Sequence, residues 1–171
     1  LHRIVGQLAS VRPHEGSQPD DLRLDPYTVD LAIGQSGPGG AGGPDIEGAT
    51  FADIRKALAQ SPSVRNEYGG RAPEEVMRAL GQPDLHPEGQ FFPDTYRFPR
   101  NTTDIELLGM AFRRMQQELK TAWETRAKDL PLSGPYEALI LASIVEKETA
   151  LDSERAQIAG VFVERLRRGM R

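Results

Sequence analysis

The sequence predicts an α+β protein, a small mixed segment followed by a mostly helical domain. Three observations predict it. β-Branched and aromatic residues gather in RLDPYTVDLAI, residues 23–33, as they do in a strand or two. From residue 45 onward, capped amphipathic segments with a period near 3.6 follow one another. Between them lies GQSGPGGAGGP, residues 34–44, a low-complexity run expected to be a flexible loop and a boundary.

Residues 1–10, LHRIVGQLAS, predict a short helix with Ile4, Val5 and Leu8 on one side, and RPHEGSQPDD after them is turn-rich. Thr50 and Asp53 form a T-x-x-D capping signal ahead of Phe51, Ile54, Ala57 and Leu58, which share one helical face. Pro73 with Glu74 and Glu75 reads as the first turn of a helix ending at Gly81. HPEGQFFPDTYRFPR, 86–100, is aromatic and punctuated by Pro, so it is expected to be irregular with a short strand. Thr103 and Glu106 make a capping box for a long helix whose stripe is Ile105, Leu108, Phe112, Met115, Leu119 and Trp123. LPLSGP, 130–135, breaks the chain before a further helix that contains LASIVEKETA, 141–150. A last helix starts near Asp152 or Ser153, turns Ile158, Val161, Phe162 and Leu166 inward, and stops at Gly169.

Composition narrows the function classes. With 38% hydrophobic and 27% charged residues over 171, a packed core is within reach. A net charge of -4 argues against a nucleic-acid partner, which leaves a basic footprint. There is no Cys, so disulfides, thiolate catalysis and Cys-based metal sites are excluded. No apolar stretch approaches the roughly 20 residues that cross a bilayer, and no signal peptide opens the chain. Leu1 is not a natural start, so any anchor or export signal is expected upstream of it.

The chemistry concentrates in LASIVEKETA, where an apolar helical run leads straight into Glu146, Lys147 and Glu148. Residues 138–145 are apolar nearly all round, so this helix is expected to be central. A carboxylate at its polar end would be partly desolvated and able to hold the proton that a general acid needs. The bland alternative is a solvated helix end. Spacing leaves Glu146 and Glu148 tied, because both have apolar neighbours. Elsewhere His2, His14 and His86 have no metal spacing, no G-x-S-x-G elbow is present, and the glycines at 34–43 lack a following G-K-[ST]. No cofactor is implied. Phe91, Phe92, Tyr96 and Phe98 suit a sugar groove or, more commonly for aromatics, core plugs. Arg165, Arg167, Arg168 and Arg171 read as a solvated face.

Several stretches together resemble one family: DIEGATFADIRKAL (45–58), EGQFFPDTYRF (88–98), NTTDIELL (101–108), LASIVEKETA (141–150) and SERAQIAGVFVERLRRGMR (153–171). They look like the YceG-like (MltG) family of endolytic murein transglycosylases, in order and with family-like spacing over about residues 45–171. The resemblance implies a bacterial lyase, anchored in the inner membrane by one N-terminal helix, that acts on nascent peptidoglycan in the periplasm. It implies a LysM-like subdomain at 45–85 and a YceG-like catalytic domain at 86–171. Residues 1–44 do not match the family pattern, and family members continue past a point like Arg171 with further catalytic domain.

The resemblance also breaks the tie. The family's catalytic glutamate is the second of the EKET motif, here Glu148. Glu88, Asp94, Tyr96, Glu146, Glu154 and Arg155 are the polar residues of these motifs expected to orient Glu148 or bind sugar, each with a plain alternative as a cap or ion pair. The implied partners are glycan strands and the membrane-bound penicillin-binding peptidoglycan synthases. A non-catalytic glycan-binding module and a scaffold for the synthases are the rival readings.

Overall fold

The computed structural model describes residues 27–30, 50–149 and 151–170, which fall into two compact units, 27–30 with 50–116 and 117–149 with 151–170. The expected helix at 1–10 and the Gly-rich run at 34–44 lie outside the described residues. The elements are β1 (Tyr27–Asp30), α1 (Phe51–Gln60), α2 (Pro73–Ala79), β2 (Thr95–Phe98), α3 (Asp104–Glu124), α4 (Pro135–Glu148) and α5 (Asp152–Arg167). Among the described residues the architecture is mostly helical with one small sheet, compatible with an α+β class.

In the first unit, α1 begins where the Thr50 hydroxyl accepts from Asp53 N–H at 3.2 Å while Asp53 accepts from Thr50 N–H at 2.9 Å. Its Phe51, Ile54 and Leu58 are buried. Helix α2 opens on Pro73, which lacks the N–H that a first turn leaves without a partner. It ends at Gly81, whose φ of 76° lets Gln82 N–H return to Met77 C=O at 2.8 Å, a left-handed stop that a Cβ would strain. Residues 86–94 carry no regular element. β2 then pairs antiparallel with β1, setting Tyr96 opposite Val29. Helix α3 is capped as expected: Glu106 accepts from Thr103 N–H at 2.8 Å and from its hydroxyl at 2.9 Å.

One core joins these pieces, with Phe51, Leu58, Val76, Met77, Phe98 and Leu107 among its members, so packing is continuous across position 85. Phe91 stacks on Phe51 at 5.2 Å and meets Phe112 edge-on at 6.4 Å. Phe91, Phe92, Tyr96 and Phe98 are all buried, which favours core plugs over an aromatic sugar groove. Two polar side chains tie loops to this core. Asp104, 3% exposed, accepts from the N–H groups of Glu67, Tyr68 and Ile105 at 2.8–3.0 Å. The Arg55 guanidinium donates to the carbonyls of Tyr68, Gly69 and Arg71.

In the second unit, Arg126 lies over the Trp123 ring at 3.7 Å and donates to its carbonyl at 2.7 Å, closing the end of α3. Helix α4 buries Leu139, Ala142 and Val145. It is not central, contrary to expectation: Tyr136, Ile140 and Ile144 on its other side are 39–45% exposed, because no described element covers them. Helix α5 departs from expectation in the same way. Ile158 and Phe162 are half-buried, but Val161 and Leu166 face solvent. Its stop at Gly169 is as expected, with φ 67° and Met170 N–H bonded to Arg165 C=O at 3.0 Å.

Replacing Asp104 by Ala would strand two N–H groups of the 67–68 loop, each costing about 1–3 kcal/mol. Urea unfolding of Asp104→Ala should show a loss of at least that size, while Asp104→Asn, which keeps an acceptor, loses less. The capping carboxylates set an acid limit. Bonds from the Thr103 N–H and then its hydroxyl hold Glu106 below its ordinary value of 4.5. The Thr50 hydroxyl and then its N–H hold Asp53 below 3.8. A lowered folded-state pKa contributes stability that is complete above the unfolded value and is lost as pH falls through the folded one. Stability should therefore fall from about pH 4.5 downward. Followed by circular dichroism, Glu106→Gln with Asp53→Asn should fall less steeply; an unaltered acid limb would contradict these caps.

Candidate functional site: the corner between α4 and α5

Helix α4 ends because Thr149 is extended, at φ -148° and ψ 137°, a conformation its β-branched side chain favours. Its N–H still donates to Val145 C=O at 3.3 Å, so the helix reaches the turn intact. Glu146 and Glu148, both in the last turn, are two residues apart, about 200° around the helix. They cannot face the same way. Glu146 turns inward and accepts from Arg155 Nη2 at 2.8 Å, with the two side chains 13% and 7% exposed. Glu148 faces solvent, and among the described residues no hydrogen bond or ion pair engages its carboxylate. The expectation that burial would partly desolvate it is not met.

A second clasp holds the turn. The Thr149 hydroxyl donates to Glu154 Oε2 at 2.9 Å and accepts from Leu151 N–H at 3.0 Å. Glu154 N–H in turn donates to Leu151 C=O at 3.0 Å, closing the first turn of α5. Glu148 therefore stands between two clasps, Glu146–Arg155 and Thr149–Glu154, each bridging α4 or its cap to α5. Thr149 was not among the sequence-selected candidates. Its place at the first non-helical position after an apolar helix was the available signal.

The remaining candidates belong to the other unit, where each has a local task. Glu88 accepts from Phe51 N–H at 2.9 Å and so caps α1. Asp94 is exposed and accepts from the adjoining Thr95 N–H at 2.8 Å. The Tyr96 hydroxyl donates to Phe92 C=O at 2.9 Å inside the core. Burial, reinforced by the nearby Asp94 charge, pushes this phenol well above its ordinary value, so it stays a donor. Among the described residues no cluster of His, Asp and Glu could hold a metal ion, and no helix is long and apolar enough to cross a membrane. The corner presents the unengaged carboxylate of Glu148 to solvent, with an ammonium, Lys147, beside it in sequence, while the exposed Glu154 accepts from Thr149.

The model of the YceG-like family matches residues 46–171, which includes both helices of the corner. The chain belongs to the YceG-like family. It is also similar to an endolytic murein transglycosylase of Streptococcus pneumoniae serotype 2 (strain D39 / NCTC 7466), with 39% identity over 84 residues. The same protein of Streptococcus pneumoniae strain ATCC BAA-255 / R6 gives the same identity over the same length. The matched stretch covers 48% of this YceG-like chain but 15% of either relative.

The Tyr96 bond makes a separable prediction. Tyr96→Phe keeps the ring and removes the donor to a buried carbonyl, so thermal unfolding should show a loss of about 1–3 kcal/mol. Glycan binding by the variant, measured by pull-down with isolated strands, should be unchanged. Weakened binding at unchanged stability would return Tyr96 to the substrate site.

Proposed function

We propose that this YceG-like chain carries the acid/base of an endolytic peptidoglycan lytic transglycosylase, with Glu148 as that group. The substrate bond is the β-1,4 link from N-acetylmuramic acid to N-acetylglucosamine in nascent strands. Protonated Glu148 gives its proton to the glycosidic oxygen as that oxygen leaves C1 of the muramic residue. The resulting carboxylate then takes the proton of the muramic C6 hydroxyl as O6 closes on C1. The products are a 1,6-anhydromuramic end and a free N-acetylglucosamine 4-hydroxyl. Glu148 ends protonated as it began, and no water is consumed. One carboxyl group is enough for this cycle, whereas glycoside hydrolases use two set roughly 5–9.5 Å apart.

The observation that carries the reading is the division of labour at the corner. Glu146, Glu154 and Arg155 are engaged with the fold, and Glu148 is the carboxylate of the EKET stretch left open to a ligand. Family membership and the similarity to a murein transglycosylase support the same class of reaction. We assign residues 45–85 to a LysM-like part that binds the glycan; helices α1 and α2 lie within it, and the paired strands β1 and β2 lie outside those bounds. On the family resemblance we also place the protein in the periplasm beside the inner membrane, with peptidoglycan synthases as neighbours.

The test is mass spectrometry of un-crosslinked strands after incubation with the chain and with Glu148→Gln. The wild type should leave anhydro ends, and the variant should be slower by about 10²–10⁴-fold, the usual share of a positioned acid/base. Ends carrying an added water would make the protein a hydrolase. Binding without turnover, alike in both, would make it a glycan-binding module.

A further inference from the structure

We infer that Thr149 and the Glu146–Arg155 pair are positioning residues for Glu148 and do not themselves touch the glycan, with the exposed Glu154 serving as the partner that holds Thr149. The inference rests on the reading of Glu148 as the acid/base. It separates two roles that the sequence leaves together for these polar groups, orienting a carboxylate or binding sugar.

Three observations carry it. Arg155 is 6% exposed and Thr149 is 8% exposed, so neither offers its polar atoms to a ligand in solvent. The functional groups are turned toward one another: guanidinium to Glu146 at 2.8 Å, hydroxyl to Glu154 at 2.9 Å. Each contact joins α4 or its cap to α5 across the turn, so the two together fix the direction in which α4 ends. Glu148 is the last residue of α4, between the residues that make the two clasps. A helix end with only its own backbone bonds frays, and an acid/base must stay within hydrogen-bond reach of one glycosidic oxygen. Displacement of about 1 Å can cost 10²-fold in rate.

The pairing also accounts for the chemistry of the residues. A buried Arg needs a charge partner, and its planar fork fixes that partner's direction better than an ammonium does. Thr149 combines an extended backbone preference with a hydroxyl that accepts from one side of the turn and donates to the other.

The experiment compares the wild-type chain with Thr149→Val, Thr149→Ser and Arg155→Met, reading kcat and KM on strands of defined length. Thr149→Val and Arg155→Met should lower kcat by about 10–100-fold with KM changed less than about twofold, since orientation and not affinity is lost. Thr149→Ser keeps the hydroxyl and should retain most of kcat. A raised KM at unchanged kcat would place these groups on the glycan and overturn the inference, as would Thr149→Ser behaving like Thr149→Val. A second readout does not depend on turnover. Amide order parameters at Lys147 and Glu148 should be near 0.85 in the wild type and fall toward about 0.6 in Thr149→Val, with α3 unaffected. Unchanged order parameters would remove the positioning role even in an active enzyme. A wild-type chain that leaves no anhydro ends would overturn the acid/base reading instead, and the order parameters alone would then decide whether the clasps fix Glu148.

Discussion

A carboxylate and a guanidinium removed from water are tolerated only in each other's company. Removing one partner of such a pair typically costs about 3–5 kcal/mol because the other charge is left desolvated. The contact between Glu146 and Arg155 is of this kind, and the geometry of the candidate site depends on it. Once Glu146 is turned inward, helical geometry turns Glu148 outward. One buried interaction thereby points two acids, two positions apart in sequence, in different directions. Apolar residues in place of a buried ion pair are often as stable; what a planar guanidinium adds is a fixed direction for its partner.

The other unit is stabilised by the same logic with uncharged partners. Its core is apolar and aromatic, but the loops over that core are held by single side chains that satisfy several backbone groups at once. Asp104 serves three N–H groups and Arg55 serves three carbonyls. Buried or half-buried loop backbone has to find such partners when no ladder supplies them. Glu88, a motif residue expected to orient Glu148 or bind sugar, is one more of these anchors, at the start of α1.

The helices were legible because their signals are local. T-x-x-D before Phe51, T-x-x-E before Ile105, Pro73 at a first turn, and Gly81 and Gly169 at left-handed stops all act within a few residues, and all are found in place. Which face each helix buries was less legible. Periodicity finds an apolar stripe, but α4 is apolar nearly all round, so the pattern could not say that Ile140 and Ile144 would stay exposed. Nor could it pair Tyr27–Asp30 with Thr95–Phe98, since a long-range register leaves no short-range mark. In the site, spacing left Glu146 and Glu148 equivalent. The residue that separates them, Arg155, is nine positions away on another helix.

The central claim is that Glu146 belongs to the fold and Glu148 to the substrate. A crystal structure of the Glu148→Gln chain with an anhydro-free oligosaccharide of the wall glycan bound tests it most directly. The account predicts the side chain at 148 within about 2.6–3.2 Å of a glycosidic oxygen, the reach of a general acid, with Glu146 still on Arg155. A sugar held by Glu146, with its contact to Arg155 broken and position 148 idle in solvent, would contradict it.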